Sequence, residues 1–182
     1  DLIVEANTRT PAFYPGRSVP SPGSTIRVTA LPFLDEGTSD PAQFTYRWRV
    51  NDSATGGVQR GNNQVTFSTQ FEQQVTVTVD VIDDQNDVVA RANTVIPLRE
   101  PELVFYEVNP LRGVIPQALS DNYILTSSEF RLRAEPYFMS SGFGNPTATV
   151  DWTLNGQSVD APTTDPLELT LRRQGAAGNF EV

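Results

Sequence analysis

The sequence predicts an all-β protein built from two β-sandwiches in tandem, and three observations support this class. Residues that favour turns are frequent, with 14 Pro and 12 Gly among 182 residues. Between them lie short runs in which Val, Thr, Ile and Phe alternate with polar residues, the period of a half-buried strand. The two halves of the chain also align with each other at one constant offset. The best short helical candidate, residues 115–119, predicts no more than a single turn.

The clearest predicted strands are 26–30, 44–50 and 75–81. In each run the apolar side chains fall on one face and the polar ones on the other, because successive side chains of a strand point to opposite sides. The run 75–81 has four valines on its apolar face. The residues predicted to form the structural core are Tyr46, Trp48, Val77, Val79 and Trp152.

An internal repeat relates the two halves. Residues 26–33 align with residues 130–137, an offset of 104, and the same offset places Trp48 on Trp152. It also carries Val65 and Phe67 onto Leu169 and Leu171. One offset that holds across three strands and two loops indicates duplicated modules. We assign a first module to residues 1–98, a short linker to residues 99–101 and a second module to residues 102–182.

Each module has roughly 100 residues and one central Trp, which is typical of an immunoglobulin-like sandwich. By the repeat, the copies of the strand at 75–81 and of the strand that ends at Ile96 are missing from the second module. We therefore expect the second sandwich to be incomplete at its C-terminus. Truncation is the favoured explanation over a disordered end or a strand supplied by another chain.

The segments Tyr46–Asp52 and Val75–Asp84 resemble bacterial immunoglobulin-like and PKD-like modules. PKD modules have an aromatic-x-Trp strand that leads into a Gly-Asp-Gly turn, and a later Val-Thr-Val-Thr-Val strand that ends in an acidic hairpin. Here Asn51-Asp52 and Asn155-Gly156 replace that turn, so the broader immunoglobulin-like label fits better. Residues 4–8 with 13–16, and later 104–107, are also similar to uncharacterised tandem-module surface proteins of candidate-phylum bacteria. The resemblance implies an extracellular, cell-surface location and a role as a stalk, adhesin segment or accessory binding module.

Composition excludes most catalytic chemistry. The chain contains no His, Cys or Lys, which removes the Ser-His-Asp triad, thiolate nucleophiles, Schiff bases and the common zinc sites. We therefore predict that it is not an enzyme. A net charge of −9 disfavours nucleic acid and anionic membranes as partners. No run approaches the 18 apolar residues that a membrane span needs, so we expect no membrane insertion.

The acidic hairpin is one candidate site, because Asp83, Asp84, Asn86 and Asp87 bring four oxygen-bearing side chains within five residues. Such oxygens suit calcium, although the EF-hand spacing is absent. A solvated turn is the favoured interpretation, with calcium as the alternative and no other cofactor expected.

Phe138, Met139 and Phe143 form a second candidate, an apolar loop that follows a strand. Such loops often mark binding sites, but these side chains can equally close the end of a sandwich. The Pro-rich segment 8–23, with Phe13 and Tyr14 at its centre, is predicted to wrap the sandwich as an ordered loop.

Outward-facing arginines form a third candidate. Arg47 and Arg49 share one strand face, and Arg27, Arg131 and Arg133 lie on other strands. They are suited to an anionic glycan, but cross-strand pairing with residues such as Asp80 is favoured in an acidic chain.

These features predict a non-catalytic structural or spacer module of an extracellular bacterial surface protein. Its partners would be other modules of the same protein. The alternative is a glycan- or protein-binding module that acts through the apolar loop of the second module.

Overall fold

The computed structural model describes residues 1–34, 37–38, 40–120, 122–125, 127–140, 150–160, 164–172 and 182. It confirms the predicted all-β class, with several separate antiparallel sheets consistent with a β-sandwich. Within those residues the helical structure is one 3₁₀ turn, Pro41–Gln43. The strands are β1 Leu2–Ala6, β2 Thr8–Arg9, β3 Thr25–Ala30, β4 Phe33–Leu34, β5 Gly37–Thr38, β6 Thr45–Val50, β7 Ser53–Arg60, β8 Gln64–Ser68, β9 Gln74–Ile82, β10 Val88–Pro97, β11 Glu102–Asn109, β12 Gly113–Ala118, β13 Glu129–Tyr137, β14 Met139–Ser140, β15 Trp152–Leu154, β16 Gln157–Val159 and β17 Glu168–Arg172.

The chain divides into two compact units, and each unit draws on both halves of the sequence. Unit 1 contains Asp1–Arg9, Gly16–Pro101 and Phe138–Ser141. Unit 2 contains Thr10–Pro15, Glu102–Tyr137 and Gly142–Val182. The boundary between the long segments of the two units lies at the predicted linker. Two short segments are exchanged: residues 10–15 belong to unit 2, and residues 138–141 belong to unit 1.

Unit 1 has two main sheets, with strand orders β1-β3-β8 and β10-β9-β6-β7. The alternation predicted from the sequence places the apolar faces of both sheets in one core, where burying this surface from water stabilises the unit. The fully buried side chains of β6 and β9 face those of β3 and β8 in this cluster. Its buried members are Ile26, Val28, Ala30, Phe44, Tyr46, Trp48, Val65, Val75, Val77, Val79, Val81 and Ile96.

Unit 2 has a four-stranded sheet, β12-β11-β13-β17, and the hairpin β15-β16. Its core is smaller, and Trp152 on β15 packs with side chains of β13 and β17. The buried members of this core are Phe130, Leu132, Ala134, Trp152 and Leu169.

The offset of 104 found in the sequence holds for strand pairing. In unit 1, Thr25 on β3 is opposite Ser68 on β8, and in unit 2, Glu129 on β13 is opposite Arg172 on β17. Each residue of the second pair lies 104 positions after its counterpart. The β6-β7 and β15-β16 hairpins obey the same rule, which aligns the pair Trp48 and Thr55 with the pair Trp152 and Val159.

The repeat ends before β13. Leu2 is opposite Ala30 in unit 1, so the offset would place Tyr106 opposite Ala134, but Tyr106 is opposite Arg133. The one-residue shift changes which residues of β11 face the core, because neighbouring residues of a strand point to opposite faces.

The best short helical candidate, residues 115–119, does not form a helical turn, because residues 113–118 form β12. This strand lies at the edge of its sheet, where Pro116 is tolerated because one side of an edge strand needs no N–H donor.

Candidate functional site

The two tryptophans have equivalent hydrogen bonds. Trp48 is 1% exposed and donates its indole N–H to the carbonyl of Asn62 at 3.2 Å. Trp152 is 5% exposed and donates to the carbonyl of Pro166 at 2.8 Å. Asn62 and Pro166 are themselves 104 positions apart. A buried indole N–H needs an acceptor, and both units supply a backbone carbonyl from the same repeat position.

A second backbone bond repeats next to each indole. Ala30 donates its N–H to the carbonyl of Asn63 at 2.8 Å, and Ala134 donates to the carbonyl of Leu167 at 2.9 Å. The buried side chains of this region are therefore held by matched backbone contacts in the two units. The other predicted core residues of unit 1, Tyr46, Val77 and Val79, are also fully enclosed, each no more than 1% exposed.

The Pro-rich segment contributes two aromatic rings to unit 2. Phe13 packs edge-on against Tyr106 with ring centroids 5.0 Å apart, and Tyr14 packs edge-on against Tyr137 at 5.5 Å. The hydroxyl oxygens of Tyr106 and Tyr137 are 2.6 Å apart. Burial and this hydrogen bond raise the pKa of Tyr137 above its ordinary value. The segment therefore covers a pair of buried tyrosines.

The apolar loop candidate does not gather at one surface in the described residues. Phe138 belongs to unit 1, is 2% exposed and lies under the guanidinium of Arg99, which is 5.3 Å from the ring centroid. Its N–H donates to the carbonyl of Arg9 at 2.7 Å, and Met139 continues this pairing as part of β14. Met139 is partly buried. Phe143 lies outside the described residues.

Phe138 also has an unusual backbone. Its φ of 56° lies in the left-handed region, which is costly for a residue with a bulky side chain. The positive φ accompanies the end of β13 at Tyr137 and the start of β14 at Met139. The buried ring and the bond to Arg9 offset the cost of this conformation.

The acidic hairpin uses one carboxylate to hold its own turn. Asp83 accepts hydrogen bonds through Oδ1 from the backbone N–H groups of Gln85 and Asp87, both at 2.9 Å. Asp84 forms an ion pair with Arg60 at 2.6 Å, and Asn86 has the positive φ of a turn residue. Among the residues described by the structure, no group of three or more carboxylates is arranged to hold a metal ion. The geometry is that of an Asx turn.

The outward face of the four-stranded sheet in unit 1 carries an ion cluster centred on Asp80. Arg91 on β10 lies opposite Asp80 on β9, and its Nε donates a hydrogen bond to Oδ1 of Asp80 at 2.6 Å. Arg49 and Arg47 on β6 approach Oδ2 at 3.4 and 4.0 Å. Asp80 is 1% exposed although it lies on the outward face, because the arginine side chains cover it. The hydrogen bond to Asp80 raises the pKa of Arg91.

Unit 2 has the reverse arrangement, one guanidinium with three carboxylates. Arg133 contacts Glu135 and Asp165, both at 2.5 Å, and Glu168 at 3.0 Å. Burial alone would lower the pKa of Arg133, but the hydrogen bonds to Asp165 and Glu135 raise it overall. Strand alternation predicts Arg47, Arg49, Asp80 and Arg133 on outward faces, but it predicts neither the contact with Arg91 nor the carboxylates around Arg133. The only signal for the first cluster was an Asp on the outward face of a Val-Thr strand.

Unit 2 also contains an open groove of about 480 Å³. Its charged lining is balanced, with Arg131 and Arg172 against Glu129 and Asp160. Arg172 and Glu129 are already paired at 2.9 Å. The groove therefore has no excess charge of either sign with which to attract an ion.

Comparison of the chain with protein-family models, with curated protein sequences and with solved structures finds no match. Among the described residues, no helix has the length and apolar character to cross a membrane.

Proposed function

We propose that the chain is a non-catalytic structural segment of an extracellular bacterial surface protein, of the stalk or appendage kind. The observation that supports this function best is the repetition of strand register and indole hydrogen bonds at an offset of 104. Repetition of a packed unit lengthens a protein without adding chemistry, which suits a spacer.

The immunoglobulin-like label is part of this proposal. In unit 1 the sheet β1-β3-β8 faces the sheet β10-β9-β6-β7, and a buried Trp lies on β6 in the second of these sheets. A constant-type immunoglobulin sandwich also has its Trp on a strand of the sheet that does not contain the first strand. This correspondence supports an immunoglobulin-like topology for unit 1.

The alternative function, binding of a glycan or protein through the apolar loop, has less support. The ring of Phe138 is enclosed in unit 1, so a ligand at this segment would depend on Met139 and Phe143. A spacer accounts for the burial of Phe138 directly, because a buried ring stabilises the fold.

Stretching single molecules tests the spacer function. The chain is tethered through its two ends and pulled, and a spacer should unfold in discrete force peaks and refold on relaxation. At about 3.5 Å per residue, complete unfolding approaches a contour of roughly 600 Å. Trp48→Ala should lower the force of one peak, while Phe71→Ala, which alters a side chain that is 98% exposed, should leave every peak unchanged. Extension without force peaks in the unaltered chain would contradict the spacer function.

A further inference from the structure

The outward face of the sheet β10-β9-β6-β7 has a local charge opposite to that of the chain. Arg47, Arg49 and Arg91 surround Asp80, so three positive charges meet one negative charge. Within 4.0 Å of these guanidinium groups, the described part of the chain offers no other carboxylate. The remaining charge of this cluster is positive, whereas the whole chain has a net charge of −9.

The guanidinium groups are open to solvent while their shared carboxylate is not. The side chains of Arg47, Arg49 and Arg91 are 44%, 32% and 62% exposed, against 1% for Asp80. Each guanidinium carries five N–H donors in a planar fork. One carboxylate with two oxygens cannot accept from all the donors of three such groups.

The spacing of the three arginines is set by the sheet. Arg47 and Arg49 are two residues apart on β6, which places their Cα atoms roughly 7 Å apart. Arg91 lies two strands away, at roughly 10 Å, because β9 runs between β6 and β10. The sheet fixes these Cα positions, and the hydrogen bond from Nε of Arg91 to Oδ1 holds Arg91 beside Asp80. A flat surface with cationic forks at this spacing fits several anionic groups of one extended ligand better than a single small anion.

Neutral hydrogen-bonding groups lie beside the arginines. Asn93 on β10 lies opposite Thr78 on β9 and donates to its hydroxyl at 2.8 Å, in the row next to Arg91 and Asp80. Amide and hydroxyl groups are well suited to bind sugar hydroxyls. We propose that this face, formed by Arg47, Arg49, Arg91, Thr78 and Asn93, binds an acidic polysaccharide through its carboxylate or sulfate groups.

Charge complementarity favours this ligand over nucleic acid. Guanidinium forks bind carboxylates and phosphates alike in a two-pronged geometry, so the forks themselves do not distinguish the two kinds of polyanion. A nucleic acid carries a dense, continuous charge that the rest of this acidic chain would repel. The proposed face also lacks an aromatic side chain on which a base could stack, within the five residues that form it.

Binding to immobilised polysaccharides tests the proposal. The probes are polygalacturonate for carboxylates, dextran sulfate for sulfates and neutral dextran, with single-stranded DNA as a polyanion of another class. We expect binding to one or both acidic polysaccharides, no binding to dextran and weakening of the interaction by added salt. Equal or tighter binding to DNA, or no binding to either acidic polysaccharide, would overturn the proposal.

Variants locate the site. Arg47→Gln with Arg49→Gln should reduce affinity roughly tenfold or more, because two charge-assisted contacts are lost while Arg91 still pairs with Asp80. The matched control, Arg17→Gln with Arg27→Gln, removes the same charge from two exposed arginines of unit 1 and should change affinity less than twofold. Equal losses in the two double variants would show nonspecific charge attraction and refute the site.

Asp80→Asn gives an independent measurement. It removes the one negative charge of the cluster, so the folded variant should bind the acidic polysaccharide more tightly than the unaltered chain. A folded Asp80→Asn variant with weaker binding would contradict the proposal. The spacer function does not depend on either result, because it is measured by force and the polysaccharide site by binding.

Discussion

Trp48 and Trp152 each donate an indole N–H to the backbone carbonyl fourteen residues further along the chain. The two bonds join equivalent positions of two units whose sequences differ at most other places. Each unit therefore has both the buried donor and the carbonyl that accepts from it. A buried indole N–H without an acceptor would destabilise the unit.

Trp48→Phe and Trp152→Phe should each lower the free energy of unfolding by about 2 to 3 kcal/mol. Phe fills most of the space but leaves the carbonyl of Asn62 or Pro166 without its donor, and the smaller ring leaves a cavity. Chemical denaturation followed by circular dichroism measures the loss. A loss in one variant with none in the other would show that the two positions are not equivalent.

Arg133→Gln should destabilise unit 2 by about 2 to 3 kcal/mol. The guanidinium of Arg133 is the shared partner of Glu135, Asp165 and Glu168, and its removal leaves Glu135, which is 6% exposed, without a cation. Arg131→Gln is the control, since Arg131 lies on the same strand and is exposed. Similar losses in the two variants, measured by thermal unfolding, would count against the cluster as a stabilising element.

Alkaline pH should weaken unit 2. The pKa of Tyr137 is raised above its ordinary value of 10.0 by burial and by the hydrogen bond with Tyr106. A hydroxyl whose pKa is higher in the folded state contributes stability that is complete below pH 10 and is lost as the pH rises, because the unfolded chain ionises first.

The free energy of unfolding should therefore fall between about pH 10 and pH 12, and Tyr137→Phe should make this fall shallower. Some slope should remain, because burial also raises the pKa of Tyr46 in unit 1. An unchanged slope in Tyr137→Phe would indicate that this hydroxyl is not held neutral by the fold.

The turns that follow the two Trp strands allow a pair of reciprocal substitutions at equivalent positions. Asn51-Asp52 and Asn155-Gly156 occupy the same repeat position, and all four residues have positive φ. Asp52→Gly should stabilise the protein by about 0.5 to 1 kcal/mol, because Gly adopts this conformation without strain. Gly156→Asp should destabilise by a similar amount, since a Cβ there meets no atom within 4 Å and the cost is the backbone strain alone. Melting temperatures that move in the opposite directions would refute this account.

Calcium should leave the melting temperature unchanged. Asp83 already accepts two backbone hydrogen bonds and Asp84 is paired with Arg60, so binding a cation would have to break existing contacts. Differential scanning calorimetry with and without millimolar calcium measures the shift. A rise of several degrees that Asp87→Asn abolishes would restore the acidic hairpin as a metal site.

The sequence predicted the strands, the repeat and the buried tryptophans because these depend on local alternation and on self-similarity. It did not predict that Met139 pairs with Arg9, since a contact between segments 130 residues apart leaves no periodic signal. Likewise, alternation placed Asp80 and Arg133 on outward faces but could not identify their partners. The partners on neighbouring strands depend on register, which the sequence of one strand does not determine.

The placement of residues 10–15 and 138–141 also limits how this protein can be divided. A cut at residues 101 and 102 yields halves that match the repeat, yet the first half lacks Phe138 and Met139, and the second lacks Phe13 and Tyr14. A rearrangement that moves one half of the gene as a continuous piece would therefore produce a unit that lacks some of its buried side chains. Although the two halves share one repeat, neither half holds all the residues of one compact unit.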